Sequence, residues 1–252
     1  PLKDGLKSVS LSANWMWPAN NDGENARLYQ AVEGISDFAI ALGINIPTGK
    51  DSLSMKQKYA NQDVMAPGTV IVSAAGHCHD INKVVEPVLD PEAGQLYYIN
   101  LSQEHFALGG SSLAQTLSLI GDQVPGIKAP EYVGVVFDAL QALINKELIS
   151  AGHDVSSGGL ITTLLELCFS SPSVGATINL SALSEQDLTT ILFAENCGLI
   201  IQAKEDARVQ AIMESHGITA HCIGQANDTG VLSITHHQVH QDFHVAQYRD
   251  HW

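Results

Sequence analysis

The chain has 252 residues, of which 45% are hydrophobic and 15% are charged. This length allows one large or two small domains, with a core that needs no disulfide bonds. An average soluble domain has roughly 25% charged residues, so the composition indicates a core-rich globular protein and excludes a disordered one. Twelve basic and 27 acidic residues give a formal net charge of −15, which repels nucleic acids and anionic lipids. We therefore expect neither a nucleic-acid nor a membrane partner.

No pattern in the sequence indicates secretion or membrane insertion. No apolar stretch approaches the roughly eighteen residues of a spanning helix, and no signal-peptide pattern opens the chain. The four cysteines form no Cys-x-x-Cys pair, so we expect reduced thiols. These features together predict a cytoplasmic protein. Because the first residue is Pro1 and not Met, we also expect a piece of a longer polypeptide.

The first eighty residues predict a small unit with the order strand, helix, strand, strand. Polar and apolar residues alternate over 7–12, which is typical of a half-buried strand, and residues 14–18 are expected to end it in a loop. Apolar residues three and four apart predict a helix over 24–42. Further strands are expected over 44–47 and 69–75.

The rest of the chain alternates strands and helices, which predicts the α/β (α+β) fold class. A proline- and acid-rich stretch over 86–92 puts the domain boundary near residue 90, so we predict domains over 1–90 and 91–252. Helices are expected over 108–120, 131–149, 160–169 and 204–216. Strands are expected over 96–101, 176–180, 199–202, 219–223 and 231–235.

A cation, a carboxylate and two hydroxyls occur close together at Lys50, Asp51, Ser52 and Ser54. A phosphate-binding P-loop is excluded, because Gly43 lies one residue too far away and Asp51 replaces the Ser or Thr that would hold magnesium. We interpret the run as the exit from a strand into a loop, suited to a phosphate and its metal ion. The alternative is a solvated turn.

A second polar run, residues 154–159, precedes an apolar helix. Ser156 or Ser157 would serve as the N-cap of this helix, which explains the serines alone. The two glycines that follow each disfavour a helix by about 1 kcal/mol, and a ligand close to the backbone would explain them better. On this interpretation Asp154 is a metal ligand and Ser156 contacts a phosphate or a nucleotide.

Other candidate features favour structural roles. The glycine pair within 108–111 lacks a carboxylate, so close helix packing is the preferred explanation. His77 and His79 lack the further ligands that a zinc site needs. Glu195 sits in a turn before a buried strand and indicates nothing by itself. The tail histidines are expected at the surface: His236, His237, His240 and His244.

Five of these runs, in the same order, resemble the second half of the synthetase region of the large phosphoribosylformylglycinamidine synthases. The resemblance extends over nearly the whole chain, and the Gly-Lys-Asp-Ser-Leu-Ser-Met run is its most specific element. The runs are residues 12–16, 46–55, 108–111, 153–160 and 192–198. The resemblance implies part of an ATP-dependent ligase of purine synthesis, which converts formylglycinamide ribonucleotide to the amidine with ammonia from glutamine.

The resemblance also implies a fold like that of aminoimidazole ribonucleotide synthetase. Its N-terminal unit would complete a barrel with a sister unit, and a C-terminal α/β unit would follow. Asp154 would be a magnesium ligand and Ser156 a nucleotide contact of an auxiliary ATP or ADP site. At Ser157 many relatives carry an acid. Residues of the groove toward the sister half and the ATP would be Lys50, Asp51, Ser52, Ser12 and Asn14.

The implied partners are a small-molecule substrate and two parts of the same polypeptide, the sister synthetase half and the glutaminase domain. Both parts lie outside this chain, so we expect the isolated chain to be inactive and to self-associate through apolar surface left bare. Two alternatives stay open. The chain could be another ATP-using member of the superfamily, similar to thiamine-phosphate or selenophosphate kinases, or a non-catalytic half whose nucleotide only braces the fold.

Overall fold

A computed structural model describes all 252 residues, which form two compact units, Pro1–Ile81 and Asn82–Trp252. The sequence predicts the boundary near residue 90, whereas in the structure residues 82–90 already belong to the second unit. Leu89 is buried in that unit's core, and the side chain of Gln202 accepts from the N–H of Asp90 and donates to its carbonyl. Prolines and acidic residues mark a connection here, but they do not show on which unit the connection packs.

The first unit is a small sheet with one long helix. The helix is α1 (Glu24–Leu42), and the strands are β1 (Ser10–Met16), β2 (Asn45–Ser52), β3 (Lys56–Lys58), β4 (Asp63–Met65) and β5 (Thr69–Ala75). The main sheet has the order β2-β1-β5, with β2 parallel and β5 antiparallel to β1, while β3 and β4 form a separate hairpin. The apolar side of α1 packs on the middle of the sheet around Trp15 and Trp17.

Local patterns predicted α1 and β5 with the correct bounds, and Gly43 ends α1 with a φ of 68°. The first strand was predicted three residues too early. A short 3-10 helix, Gly5–Ser8, precedes β1, and the strand runs on through the supposed loop because both neighbouring strands pair with it as far as Met16. For the same reason β2 extends to Ser52, so the predicted strand exit lies within a strand.

The second unit contains one large sheet between helices. Its helices are α2 (Ser112–Thr116), α3 (Pro130–Asn145), α4 (Gly159–Cys168), α5 (Leu188–Phe193), α6 (Asp206–Ser215) and α7 (Val245–Arg249). Its strands are β6 (Gln95–Asn100), β7 (Ile149–Val155), β8 (Gly175–Asn179), β9 (Gly198–Ala203), β10 (Ala220–Asn227), β11 (Val231–His236) and β12 (Val239–His244). None of the helices has both the length and the apolar character needed to cross a bilayer.

The seven strands have the order β12-β11-β8-β10-β6-β9-β7, and only β11 and β8 are parallel neighbours. Both faces of the sheet are covered, so successive residues of β6 enter different cores. Tyr98 packs with α4, α5 and α7, whereas Tyr97 packs with α3 and α6. The predicted mixed α and β class is confirmed, and the largely antiparallel sheet makes it α+β.

Several predicted elements of this unit differ from the observed ones. The predicted helix over 131–149 ends at Asn145, and β7 then occupies a stretch that was read as a loop. Polar residues and a glycine interrupt the alternating pattern that would predict this strand from the sequence. The strand forms by pairing with β9. The helix after Ser111 ends at Thr116 instead of Ile120. Helices α5 and α7 and strand β12 were not predicted at all.

The tail histidines are exposed as predicted except for His236. This residue is 2% exposed, and neither ring nitrogen has a hydrogen-bond partner. The alternating burial along β11 continues to its last residue, and it directs His236 inward. As predicted, all four cysteines are free thiols.

Candidate functional site

The first candidate site is the polar face of the β1–β2 pair. Asn14 is the register partner of Lys50, while Ser12 lies two residues earlier on β1 and Ser52 two residues later on β2. Side chains alternate along a strand and cross-strand partners point the same way, so these four residues share one face. Trp15 and its neighbours in the core lie on the other face, against α1.

The Lys50 ammonium group is already hydrogen-bonded on this face. It donates to the Ser52 hydroxyl at 2.6 Å and to the carbonyl oxygen of Asp51 at 3.2 Å. The Asp51 carboxylate does not join them, because Asp51 is the register partner of Trp15 and its side chain takes the opposite direction. The expected cluster of cation, carboxylate and hydroxyls is therefore reduced to a cation with hydroxyl and amide neighbours.

The second candidate site is at the edge of the large sheet where strands β6 and β7 end and strand β9 begins. Asn100, at the end of β6, and Val155, at the end of β7, both pair with Gly198, the first residue of β9. The segments after β6 and β7 and the segment before β9 therefore meet at this edge. Asp154 and Ser156 belong to the β7 segment.

The Asp154 carboxylate is open to solvent, with a side chain that is 66% exposed. Its backbone is held firmly, because the hydroxyl of Thr163 donates to its carbonyl at 2.9 Å. Beside it, Nδ1 of His153 lies 3.4 Å from Oδ1 of Asp154, and Nε2 of His153 lies 3.1 Å from a carboxylate oxygen of Glu166. A fixed backbone and an exposed carboxylate are compatible with a ligand that reaches Asp154 from solvent.

The expected serine cap is absent. Ser156 and Ser157 are exposed, and the N-cap of α4 is Gly158, which receives no side-chain cap and has a φ of 85°. Gly159 also has a positive φ, 75°, and a Cβ there would lie 2.7 Å from the carbonyl oxygen of Leu192. The glycine pair is thus required by backbone conformation and by close packing on the end of α5, without any ligand.

Glu195 fills the space where an anion was expected at this turn. Its Oε1 accepts hydrogen bonds from the backbone N–H groups of Gly158 and Ser112, each at 2.8 Å. Burial acts to raise the pKa of Glu195, but these hydrogen bonds outweigh it and the pKa lies below its usual value. No local pattern around Glu195 indicates this role, since the two donors are 37 and 83 residues away in the chain.

Asn196, next along the chain and 1% exposed, holds the segment after β6. Its amide oxygen accepts from the N–H of Ala107 at 3.0 Å, and its amide nitrogen donates to the Ser102 hydroxyl and the His105 carbonyl. Burial and then the charge of Asp154 raise the pKa of the adjacent Cys197 thiol, so it stays protonated and is no nucleophile.

The residues at this edge fit a metal ion only as part of a larger ligand. No group of three or more His, Cys, Asp or Glu side chains in the chain could hold a cation. Mg²⁺ retains several waters and binds through one or two carboxylates together with substrate phosphates. A single open carboxylate at Asp154 therefore suits the Mg²⁺ of a nucleotide complex and does not suit a free ion.

Two family models match the chain one after the other. The FGAR-AT PurM_N-like domain matches residues 2–77, and the C-terminal domain of AIR synthase related proteins matches residues 100–237. A probable phosphoribosylformylglycinamidine synthase of Arabidopsis thaliana is 38% identical over 91% of this chain, and the Homo sapiens phosphoribosylformylglycinamidine synthase is 37% identical over 91%. The chain spans only 16% and 17% of the length of these relatives.

Solved structures share the fold at low sequence identity. Thermotoga maritima PurL complexed with FGAR has a TM-score of 0.67 at 14% identity, covering 97% of this chain and 40% of that one. Escherichia coli HypE, a hydrogenase maturation protein, has a TM-score of 0.63 at 20% identity, covering 93% and 72%. The AIR synthase related model alone matches more than half of the residues. The chain therefore belongs to the AIR synthase related family, and its resemblance to the large phosphoribosylformylglycinamidine synthases is confirmed.

Proposed function

We propose that the chain is the second synthetase half of an ATP-dependent enzyme that converts formylglycinamide ribonucleotide, glutamine and ATP to formylglycinamidine ribonucleotide. The observation that carries this proposal is the 37–38% identity, over at least 90% of the chain, to plant, human and nematode proteins with that name. Because the chain spans 16–18% of those relatives, the activity would belong to the longer polypeptide.

In the first unit, the polar face of β1 and β2 would contact phosphate-bearing ligands. Lys50 offers the positive charge, while Ser52, Asn14 and Ser12 lie beside it on the same face and offer hydrogen bonds. The family resemblance assigns this face to the groove shared with the sister half. The carboxylate of Asp51 points to the opposite face of the sheet and would not contact this ligand.

In the second unit, Asp154 and Ser156 would form part of an auxiliary site for ATP or ADP. The open carboxylate of Asp154 would hold Mg²⁺, and the exposed hydroxyl of Ser156 would contact a phosphate. When bound, Mg²⁺ would neutralise part of the phosphate charge. T. maritima PurL, which has this fold, has been solved in complexes with ATP, ADP and AMPPCP.

The partners that we propose are the sister synthetase half and the glutaminase domain of the same polypeptide. The isolated chain should therefore make no formylglycinamidine ribonucleotide when it is supplied with ammonia, substrate and MgATP. Turnover above a blank without protein would contradict this. A cytoplasmic location stays a prediction, because the Arabidopsis relative is named for chloroplasts and mitochondria.

A non-catalytic, bracing half is the second candidate function. One observation favours it: backbone conformation and packing account for the glycine pair, and Glu195 accepts a hydrogen bond from the N–H of Gly158, without a ligand. Another ATP-using member of the superfamily is disfavoured, since E. coli HypE is 20% identical against 37–38% for the synthases.

Disruption of the gene that encodes the chain tests the proposed activity. The disrupted cells should require purines and accumulate formylglycinamide ribonucleotide, and the intact gene should reverse both effects. A gene copy with Lys50→Ala should restore growth poorly, whereas Lys58→Ala, in the exposed β3 strand, should restore it fully. Purine-independent growth of the disrupted cells would overturn the proposal.

A further inference from the structure

Glu195 connects two turns that are far apart in the sequence. The same carboxylate oxygen, Oε1, accepts from the N–H of Gly158, at the start of α4, and from the N–H of Ser112, at the start of α2. Gly158 lies two residues after Ser156 and four after Asp154. Glu195 therefore acts directly on the backbone of the turn that carries Ser156 and that follows Asp154, the last residue but one of β7.

The next two residues extend this connection. Asn196 binds three groups of the segment after β6, and the carbonyl of Cys197 accepts from the N–H groups of Leu101 and Ser102. Residues 195–197 thus fix the segments that follow β6 and β7 against the start of β9. Within this connection, only Glu195 reaches the turn after β7.

We propose that Glu195 is a positioning residue, which holds the turn after β7, and with it Ser156 beside Asp154, in place through the N–H of Gly158 and ties this turn to the start of α2. The nature of the bound ligand rests on the proposed function, whereas the positioning role of Glu195 rests only on its hydrogen bonds to Gly158 and Ser112. Because Glu195 takes these N–H groups, they are not available to a phosphate. A nucleotide at this edge would therefore be held by Asp154 with its cation and by the hydroxyl of Ser156, without these two N–H groups.

Two substitutions separate the hydrogen bonds from the charge. Glu195→Gln keeps an Oε1 that can accept from both N–H groups, whereas Glu195→Ala removes the acceptor. Asp206→Ala is the matched control, since one oxygen of Asp206 also accepts two hydrogen bonds, from the N–H of Gln95 and the hydroxyl of Tyr97. Gln95 begins β6, so these contacts lie at the opposite end of that strand from the proposed site.

The experiment measures amide hydrogen exchange and MgADP affinity for each variant of the 252-residue chain. In Glu195→Ala, the amides of Gly158 and Ser112 should exchange at least about ten-fold faster, and MgADP should bind about ten-fold more weakly. Glu195→Gln should stay within about three-fold of the unmodified chain on both measurements. Asp206→Ala should lower the melting temperature and leave MgADP affinity unchanged.

Unchanged exchange in Glu195→Ala would overturn the proposal. An equal loss of MgADP affinity in Asp206→Ala would also overturn it, since general destabilisation would then explain the effect. If the unmodified chain binds no MgADP, the exchange rates alone decide whether Glu195 holds the turn. If Glu195→Ala does not fold, Glu195→Asp, which withdraws the oxygen by one methylene, takes its place.

Discussion

The two units differ in how completely they bury their sheets. In the second unit, helices cover both faces of the seven-stranded sheet, and residues such as Leu96 and Ile99 are fully buried. In the first unit, one helix covers one face, while Ile71 on the sheet and Ile40 on the helix are 54% and 73% exposed. The second unit therefore buries both faces of its sheet, whereas the first leaves apolar groups exposed on its only three-stranded sheet.

The largest expected effect sharpens this comparison through stability. Leu164 in α4 is fully buried, so Leu164→Ala should lower the free energy of unfolding of the second unit by about 2–5 kcal/mol. Ile71→Ala, on the exposed sheet face of the first unit, should change the free energy of unfolding of that unit by no more than about 0.5 kcal/mol. Urea denaturation followed by circular dichroism measures both. Similar losses in the two variants would contradict the difference in burial.

The next prediction concerns the site in the second unit. In the longer polypeptide, Asp154→Asn should weaken MgADP binding by about 1–3 kcal/mol, the effect of losing a charge-assisted contact. Ser157→Ala, in the exposed turn that follows β7, serves as the control and should change the affinity little. Isothermal titration calorimetry measures both variants. Unchanged affinity in Asp154→Asn would leave the run over 154–159 as an ordinary helix start.

The comparison also predicts which unit makes the chain self-associate. Exposed apolar groups on the open sheet should cause association at concentrations of tens of micromolar, and Ile71→Lys should weaken it about ten-fold. Val124→Lys is the control, because Val124 is 66% exposed but belongs to the second unit. Analytical ultracentrifugation distinguishes the two variants. A monomeric unmodified chain, or a larger effect of Val124→Lys, would reverse the assignment.

The smallest expected effect depends on pH. Hydrogen bonds hold the pKa of Glu195 below its value in the unfolded chain, about 4.3. The stability from this depressed pKa is present above that value and is lost as the pH falls through the folded-state pKa. The melting temperature of the unmodified chain should therefore fall toward that of Glu195→Gln as acid is added from pH 6 to pH 3. A constant gap would show that the charge contributes nothing.

Sequence reasoning succeeded where the determining interactions are local. The spacing of Leu28, Val32 and Ile35 with the terminal Gly43 defines α1, and the apolar run of β5 defines that strand. Sequence reasoning failed where pairing between strands far apart in the chain decides the structure. His153 and Asp154 occupy a strand only because β9 lies beside them.

The site shows the same division between local and distant causes. Asp154 and Ser156 could be proposed from their own neighbours in the sequence. Glu195 could not, because nothing in the chain before or after it indicates that its partners are the N–H groups of Gly158 and Ser112. The role of the Glu195 carboxylate thus depends on the fold, which brings the segments after β6 and β7 together.

The four free thiols divide into two chemical classes. Burial raises the pKa of Cys168 to about 12, and burial with the Asp154 charge raises that of Cys197, so neither presents a thiolate near neutral pH. Cys78 and Cys222 are exposed, and one lies in each unit. A maleimide dye should therefore label each unit once without any mutation.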